Sequence, residues 1–559
     1  MELAFAAAEV NQASAGPSYE QICALEPDPL EESLVIDNST GALGSPLVVG
    51  LGGQPVCGDP TAPAGAPVVN WIAGPAGDTL NGLNIDLRAN GACGVPQRRP
   101  GLHVEGPGTL YIDMFTLQGT VDYAIGNGIA GPAGTVFSNG FGHFIGNCEG
   151  SAVRTSGDLT LQNVGIAGCR LDGTGNANAL LEAVEPQGHL ILNDVVVFGN
   201  LVDGGLALLL DDWPGVVNTT FAANGLGPGI PLVRSGLPLS TYALGPDGPV
   251  DLAPTAWKDN VFSRNRHVSG TGSFVLPEQP ATVVPSSPMS NPSCPIGAVG
   301  RPWATTGSPF EAFPAADGPL MHFDGSMSTY VGEDVQLFRN SFVANVSGSS
   351  PLVLIETPRT GLNVQALQNT AAENEAAAFI EVASAGPGWS LYSMRNLWVG
   401  TDSPAEPFVL AASAPTVGIT TMNVGPVNAD WLQSPQVPPV LIDGPHLEHS
   451  FVGGEFVDAA LFGLGSPCLR HQALCPDADA PACVSRAQSN RRMICALDRA
   501  AEFLPSSAFV AGLGHPWPWD TTFFEASPGS WESPGASGWR CEGAESTVDS
   551  FSEGVPQSV

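Results

Sequence analysis

Short apolar segments recur along the chain, and in several of them every second residue is large and apolar. Leu159 and Leu161 flank the polar Thr160, and Leu190 and Leu192 are spaced in the same way on either side of Ile191. A period of two residues is typical of β-strands whose two faces differ in polarity. Helical stripes are missing from this part of the sequence. The pattern therefore predicts an all-β fold of many short strands.

One unit repeats through the middle of the chain: an apolar strand, an asparagine, and a second short apolar strand that often ends in another asparagine. The steps from Asn340 to Asn369 and from Asn369 to Asn396 are 29 and 27 residues. The interval of 80 residues from Asn260 to Asn340 is close to three periods, which predicts degenerate or loop-bearing copies in between. The repeated asparagines are Asn163, Asn260, Asn340, Asn369, Asn396 and Asn423.

A repeat of this length with glycine and asparagine corners predicts a parallel β-helix. Each turn of the chain, here called a coil, buries its apolar face only against the next coil, and stacked strands lie about 4.8 Å apart. Asparagine suits a corner because it tolerates left-handed backbone and its amide can bond the equivalent residue above and below. We therefore interpret the repeated asparagines as a structural ladder rather than as a ligand site.

The ends of such a solenoid need caps, because an open coil exposes apolar surface and unpaired strand edges. Leu3 and Val10 share the apolar face of a predicted helix, which we interpret as the N-terminal cap. The predicted segments are an N-terminal cap with the first strands (1–75), the parallel β-helix (76–450) with a Pro/Ser-rich loop near 268–320, a cysteine-containing C-terminal cap (451–527) and a flexible acidic tail (528–559).

The chain of 559 residues carries a formal charge of −35, and Lys258 is its single lysine. So acidic a surface is a poor partner for nucleic acid, whose phosphates need clustered cations. No run of 18 apolar residues is present, so no membrane span is predicted. With 43% apolar residues the chain is nevertheless able to bury a core, which argues against global disorder.

Eleven cysteines occur without a Cys-x-x-Cys pair, which argues against a zinc ribbon or a thioredoxin-like motif. Five of them cluster between Cys468 and Cys541, as expected for disulfides formed in an oxidising compartment. An extracellular or cell-surface location is therefore predicted, although no signal peptide is visible at the N-terminus. Cys148 and Cys169 are 21 residues apart, a little less than one coil. A disulfide is one outcome there, and an inert buried stack of thiols is the preferred one.

Two segments resemble one family of proteins. The helix Leu3-Ala-Phe-Ala-Ala-Ala-Glu-Val-Asn is similar to the N-terminal helix, and Gly157-Asp-Leu-Thr-Leu-Gln-Asn-Val to the coil, of bacterial secreted right-handed parallel β-helix repeat proteins. These belong to the pectate-lyase-like superfamily and are related to polymorphic outer-membrane protein repeats. The resemblance covers roughly residues 1–450 and implies a right-handed parallel β-helix, a fold that hosts lyases, hydrolases, adhesins and spikes. Ala4 stands where the family has an arginine.

The densest polar cluster is the best candidate for binding. A lysine or arginine beside an aromatic ring can bind sugars or a carboxylated glycan through stacking and bidentate pairing. The competing interpretation is a coil whose outward residues happen to be basic. The cluster, next to the ladder residue Asn260, consists of Trp257, Lys258, Asp259, Arg264, Arg266 and His267.

Other patterns match established chemistry less well. Arg98-Arg-Pro-Gly-Leu-His103 is the nearest match to the Arg-x-Pro-x-x-Arg pattern of β-helix pectate lyases, but it ends in histidine. The pair Asp211 and Asp212 lacks the Gly-His-Gly and Arg-x-Lys motifs of polygalacturonases, so a solvated turn is favoured. Two candidate cation sites are each weaker than a structural alternative: a metal at Asp443, His446 and His449, and calcium in the loop Asp172-Gly-Thr-Gly-Asn-Ala-Asn178.

These observations favour a non-enzymatic extracellular or cell-surface protein that presents a rigid β-helix surface to a glycan or a surface protein. The alternative is a polysaccharide lyase or glycoside hydrolase with a divergent active site, whose catalytic residues the sequence does not identify. A further alternative is a subunit that self-associates into a fibre or spike. No cofactor is predicted beyond the candidate calcium, and neither nucleic acid nor a membrane is an expected partner.

Overall fold

The computed structural model describes residues 20–433 apart from interruptions. The predicted N-terminal helix, the C-terminal cap and the acidic tail lie outside the described residues, as do Asn163 and Asn423 of the predicted ladder. Interruptions longer than three residues fall at 24–28, 94–97, 128–134, 139–142, 237–241, 252–256, 278–308, 328–333, 400–406 and 422–431.

Every helix or strand assigned among the described residues is a β-strand, so the prediction of an all-β fold is confirmed for this part of the chain. No helix in this part of the chain is long and apolar enough to cross a membrane. The first twenty strands are β1 Glu20–Cys23, β2 Leu34–Asp37, β3 Leu47–Gly50, β4 Val69–Ile72, β5 Asp78–Asp86, β6 Leu102–Glu105, β7 Thr109–Gln118, β8 Val121–Asn127, β9 Thr135–Ser138, β10 His143–Gly146, β11 Glu149–Thr155, β12 Asp158–Gln162, β13 Val164–Ala167, β14 Arg170–Leu171, β15 Ala179–Ala183, β16 His189–Asn193, β17 Val196–Phe198, β18 Leu201–Val202, β19 Ala207–Asp211 and β20 Gly215–Val217. The next twenty are β21 Thr220–Ala222, β22 Gly225–Leu226, β23 Val233–Ser235, β24 Tyr242–Gly245, β25 Gly248–Asp251, β26 Trp257–Lys258, β27 Val261–Ser263, β28 Arg266–His267, β29 Met321–Asp324, β30 Asp334–Phe338, β31 Ser341–Val343, β32 Val353–Glu356, β33 Asn363–Leu367, β34 Thr370–Ala372, β35 Ile380–Ser384, β36 Ser390–Met394, β37 Leu397–Val399, β38 Val409–Ala411, β39 Val417–Thr421 and β40 Leu432–Gln433.

The chain divides into two compact units. Unit 1 comprises the residues up to Gly215 together with Gly225–Arg234 and Thr271–Pro285, and unit 2 comprises Val216–Asn224, Ser235–Gly270 and the chain from Ser286 onward. The strands pair in parallel within both units, whereas β24 and β25 of unit 2 form an antiparallel hairpin.

In unit 1 the strands of successive coils lie side by side in long parallel ladders. One ladder follows β1, β3, β5, β7, β9, β12 and β16, and another follows β2, β4, β6, β8, β11, β15 and β19. Leu159 pairs with Leu190 and Leu161 with Leu192, and all four side chains are buried. The alternation in the sequence is therefore the inward face of stacked parallel strands, which is consistent with a parallel β-helix.

Unit 2 is built in the same way, from ladders that follow β26, β30, β33, β36 and β39, and β29, β32, β35, β38 and β40. Because β26 pairs directly with β30, Asn260 and Asn340 lie on adjacent coils. The interval of 80 residues between them is thus one long coil, and the prediction of about three coils is wrong. The number of residues between two asparagines includes any long excursion from the sheet, so it does not give the number of coils between them.

Buried asparagines connect successive coils of unit 2. Asn340 Oδ1 accepts hydrogen bonds from the backbone N–H of Asn260 at 3.0 Å and from its side-chain amide at 3.1 Å. Asn340 Nδ2 in turn donates to the Trp257 carbonyl and to Asn369 Oδ1, and Asn369 repeats the contact with Asn396. These bonds satisfy the buried amides inside an apolar solenoid. A second column of the same kind contains Asn224, Asn265, Asn345 and Asn374.

Two disulfides join residues of unit 1, Cys57 to Cys93 and Cys148 to Cys169. The expectation of an inert stack of thiols at Cys148 and Cys169 is therefore wrong, because their Cα atoms lie 4.4 Å apart and the sulfurs are bonded. Disulfides persist in oxidising compartments, so the two bonds indicate an extracytoplasmic environment. The cysteines from Cys468 onward lie outside the described residues.

Candidate functional site

The cluster predicted to bind a glycan lies in unit 2, and its described side chains are held by the protein itself. The Trp257 side chain is 2% exposed and packs edge-on against Phe323. Arg264 is buried in an ion pair with Glu311, and burial lowers the pKa of its guanidinium to about 10. A covered indole is not available for stacking on a sugar, so the structure does not provide the platform expected from the sequence.

The other members of this cluster are also engaged or lie outside the description. His267 is buried with its Nδ1 3.3 Å from the Val346 carbonyl, and the Arg266 guanidinium lies 3.5 Å from the Phe313 carbonyl. The Lys258 side chain and the whole of Asp259 lie outside the described part of the chain, so their role in binding stays a prediction.

The segment Arg98-Arg-Pro-Gly-Leu-His103 divides between two cavities of unit 1. Arg98 is exposed and forms an ion pair with Glu149. The side chain of Arg99 is buried and holds the loop 59–67, because its guanidinium donates hydrogen bonds to Ser33 Oγ and to the carbonyl oxygens of Asp59, Ala66 and Pro67. Arg98 is thus exposed at a groove, whereas Arg99 lies behind a loop and holds it.

The first cavity is a pocket of about 390 Å³ between the loop 59–67 and the outer face of β4 and β6. Its volume lies within the range of about 300–1,000 Å³ that is usual for small-molecule sites. Asn70 and His103 are register partners on adjacent coils, and Val35 continues the same column. Glu105 follows two residues after His103 on the same face of β6. The other lining residues are Ser33, Ala62, Ala66, Pro67, Arg99 and Tyr123.

Tyr123 belongs to β8 on the next coil, and its side chain extends along that strand and lines this pocket. Its ring lies over Gly126, the register partner of His103, and a Cβ at Gly126 would come within 2.5 Å of the ring. The Tyr123 hydroxyl is 3.3 Å from His103 Nδ1. Burial raises the pKa of Tyr123 to about 12 and lowers the pKa of His103, so both side chains are predominantly neutral at pH 7.

The second cavity is a groove of about 540 Å³ that follows one corner of four successive coils of unit 1. The corner residues are Arg88, Gly119, Asn147 and Gly168, of which the last three have left-handed backbone with φ of 68°, 53° and 67°. Three coil spacings of about 4.8 Å separate the first corner from the last, so this row is about 14 Å long. Phe274, Val275 and Leu276 supply apolar lining.

Three arginines line the groove, and each has a carboxylate partner: Arg88 with Asp86, Arg98 with Glu149, and Arg170 with Asp203. The pairs of Arg88 and Arg170 are largely buried, which fixes the direction of both guanidinium groups. Arg98 and Glu149 are 73% and 58% exposed, and exposed pairs contribute at most about 1 kcal/mol. A ligand anion can therefore displace Glu149 from Arg98 at small cost.

The backbone along this corner is already hydrogen-bonded between coils. The N–H groups of Gly119, Asn147, Glu149 and Arg170 donate to carbonyl oxygens of the neighbouring coils. A peptide added as an extra strand needs free main-chain donors and acceptors. Recognition at this corner must therefore come from side chains.

Unit 2 carries an acidic cluster on the outer face of β29, β32 and β35. His322 Nε2 lies 3.0 Å from Glu356 Oε2, and Glu381 occupies the next strand, opposite Leu354. Burial and, second, the charge of Glu356 raise the pKa of Glu381. A carboxyl group with a raised pKa beside a second carboxyl group is the arrangement in which one of the two can serve as a general acid.

The remaining sequence candidates form no site among the described residues. Asp211 and Asp212 are buried rather than in a solvated turn, and Asp211 accepts a hydrogen bond from the Leu190 N–H at 2.7 Å. Asp172 is occupied by Thr174 within its own loop. The described part of the chain holds no group of three or more His, Cys, Asp or Glu side chains that could bind a metal ion. Asp443, His446 and His449 lie outside it.

No protein-family model matches the chain, and no curated protein matches it in sequence. Among solved structures the chain is similar to the Azotobacter vinelandii mannuronan C-5 epimerase AlgE6 A-module, at 12% identity over 73% of this chain and 94% of that chain, with a TM-score of 0.21. So low a TM-score carries no argument about function. The parallel architecture rests on the strand pairing of this chain itself.

Proposed function

We propose that this chain is an extracellular or cell-surface protein, a right-handed parallel β-helix with capped ends, that binds a linear anionic polysaccharide along the corner groove of unit 1. The observation that carries the proposal is the row of Arg88, Arg98 and Arg170 on this corner. Three of 15 lining residues are arginine, in a chain with 19 Lys and Arg among 559 residues. Such enrichment against a charge of −35 favours a local anion-binding role.

The spacing of the cations favours a linear ligand over a compact one. Arg88 and Arg170 stand on the first and last corners of the groove, about 14 Å apart along the stack, with Arg98 bound to Glu149 on an intermediate coil. A polymer with a carboxylate on each repeating unit can meet such a row, whereas a single small anion reaches one guanidinium.

The state of the backbone favours a polysaccharide over an acidic peptide. Strand addition is not available at a corner whose N–H groups already bond the next coil. Carboxylates and hydroxyls of a glycan need only side-chain donors and apolar contacts such as those of Phe274. Bidentate pairing with guanidinium groups supplies the charge-assisted part of the affinity.

The test is binding of the full chain to immobilised polygalacturonate, with a neutral polymer of the same length and an acidic polypeptide as the other two ligands. Arg98→Gln is expected to weaken polygalacturonate binding by roughly fivefold to tenfold, the loss of one charge-assisted contact of about 1–1.5 kcal/mol. Glu149→Gln removes the competing carboxylate and is expected to strengthen it. Arg359→Gln is the charge-matched control, because Arg359 belongs to unit 2 and lines neither cavity.

Equal binding of all three polymers, or the same loss in Arg98→Gln and Arg359→Gln, would contradict the proposal. Tighter binding of the acidic polypeptide than of polygalacturonate would also contradict it, because the groove would then recognise a protein partner. Salt adds a further check, since affinity carried by three guanidinium groups falls steeply with ionic strength.

A second candidate function is glycoside hydrolysis at the acidic cluster of unit 2, with Glu381 as the proton donor. The raised pKa of Glu381 near the charge of Glu356 is the observation that favours it. Release of reducing ends from polysaccharides by the wild-type chain, lost in Glu381→Gln and retained in Arg98→Gln, would support hydrolysis. If the wild-type chain released no reducing ends from neutral or acidic polymers, glycoside hydrolysis would be excluded as its function.

A further inference from the structure

The pocket beside β4 and β6 has a composition different from that of the corner groove. Two acceptor groups of the pocket are unoccupied among the described residues. Asn70 Oδ1 is buried and makes no hydrogen bond with a described residue. The Glu105 carboxylate forms no hydrogen bond or ion pair in the described structure, and its charge acts on the neighbouring His103 and Tyr123. A ligand that donates hydrogen bonds and carries positive charge would complete both groups.

The other groups of the pocket do not supply a competing free cation. His103 is predominantly neutral because burial lowers its pKa, and Tyr123 is neutral because burial raises its pKa. The Arg99 guanidinium is engaged by the loop 59–67 through its Nε, Nη1 and Nη2 atoms. Its positive charge is offset in part by the nearby carboxylate of Asp59. Glu105 is the acidic side chain among the residues that line the pocket.

Shape and long-range charge lead to the same ligand class. Val35, Ala62, Ala66 and Pro67 form an apolar wall next to the two acceptors, which suits a ligand with one charged end and one hydrocarbon end. The Tyr123 ring adds an aromatic surface that attracts cations. A chain with a formal charge of −35 also draws cations toward its surface.

We propose that this pocket binds a primary organic ammonium ion, with Glu105 as its counter-ion, Asn70 Oδ1 as a hydrogen-bond acceptor, and the wall of the loop 59–67 around its hydrocarbon part. The site is separate from the proposed polysaccharide groove, with which it shares no lining residue. Its function is recognition of a small amine or of an amine-bearing group on a larger partner.

The test uses three ligands of the same carbon length: n-butylamine, 1-butanol and butanoate. Binding to the full chain at pH 7 is measured by saturation-transfer NMR titration. The expected order of affinity is ammonium, then alcohol, then carboxylate, with at least a fivefold difference between the first two. An equal affinity for amine and alcohol, the best binding by butanoate, or no detectable binding of the amine would overturn the proposal.

Two charge-matched variants separate a local counter-ion from the general acidity of the protein. Glu105→Gln is expected to lower butylamine affinity at least fivefold and to leave 1-butanol unchanged. Glu375→Gln removes the same charge from an exposed residue of unit 2 that lines neither cavity, and it is expected to leave butylamine binding within twofold. Equal losses in the two variants would show that the amine responds to net charge alone and would refute the site. Tyr123→Phe retains the ring, so it is expected to keep most of the affinity.

Discussion

Acidification should weaken unit 1 through one buried histidine. His143 at the start of β10 is fully buried, and its ring centroid is 4.6 Å from that of Phe115. Its Nδ1 accepts a hydrogen bond from the Phe115 N–H at 3.4 Å, and its Nε2 has no partner among the described residues. Burial lowers the pKa of His143 to about 4. A proton added at Nδ1 would point at another donor, so the folded state resists protonation.

The sign of the effect follows from the two pKa values. The unfolded chain takes up a proton near pH 6.5, whereas the folded chain takes it up near pH 4, so the unfolded state binds more protons between these values. Stability contributed by neutral His143 is therefore fully present above pH 6.5 and falls as the pH decreases toward 4. A difference of about 2.5 pKa units gives a loss of roughly 3 kcal/mol between pH 7 and pH 4.

Hydrogen exchange of the amides of β10 and β13 measures this effect where it arises. His143→Gln removes the titrating group and keeps an acceptor for the Phe115 N–H. We expect the opening free energy of the wild type to fall by about 3 kcal/mol more than that of the variant between pH 7 and pH 4. Comparison of the two proteins at each pH cancels the pH dependence of intrinsic exchange. His189→Gln serves as a control because the His189 side chain is 37% exposed.

The reasoning would be refuted if wild type and His143→Gln lost protection in parallel. That result would assign acid sensitivity to the carboxylates of unit 1 and not to His143. A loss of protection that is already complete near pH 6.5 would likewise contradict a pKa lowered by burial.

Two further predictions concern the elements that connect the coils. Asn340→Leu leaves the Asn260 N–H and the Trp257 carbonyl without their partner. The unfolding free energy of unit 2 should therefore fall by at least about 3 kcal/mol, which hydrogen exchange of the amides of β27 and β31 would measure. Unchanged protection of these amides would contradict the ladder. Replacement of Cys148 and Cys169 by serine opens a loop of 21 residues and should lower the unfolding free energy of unit 1 by about 3 kcal/mol, measured by urea unfolding; a midpoint equal to that of the wild type would show that the bond is not needed.

The all-β class and the parallel stacking were predictable because their causes are local and repeated. Alternating apolar residues such as Leu159 and Leu161 predict an inward strand face regardless of the rest of the chain. The number of coils between Asn260 and Asn340 cannot be predicted from the interval, since an excursion from the sheet has no fixed period. The bond between Cys148 and Cys169 is equally hard to predict, because only the path of the corner decides whether two cysteines meet.

The sites were much less predictable than the fold. Trp257 and Arg264 lie in a basic cluster of the sequence, yet the coil turns them inward, and no residue pattern separates a buried tryptophan from an exposed one. Glu105 and Tyr123 gave no signal because they become neighbours only through register between β6 and β8. One signal was available: Gly126 within β8 marks a position where another group approaches the backbone closely.

The corner groove and the amine pocket illustrate why recognition in a stacked fold depends on exceptions to the repeat. Regular coils satisfy their own backbone groups, as the bonded N–H groups of Gly119 and Asn147 show, so a uniform solenoid has little left to offer a ligand. Sites arise where a coil departs from its neighbours. At the pocket, the departures are a glycine in β8 that admits the Tyr123 ring and a loop held outward by Arg99. Substitution of either feature should therefore change binding far more than it changes the parallel stack itself.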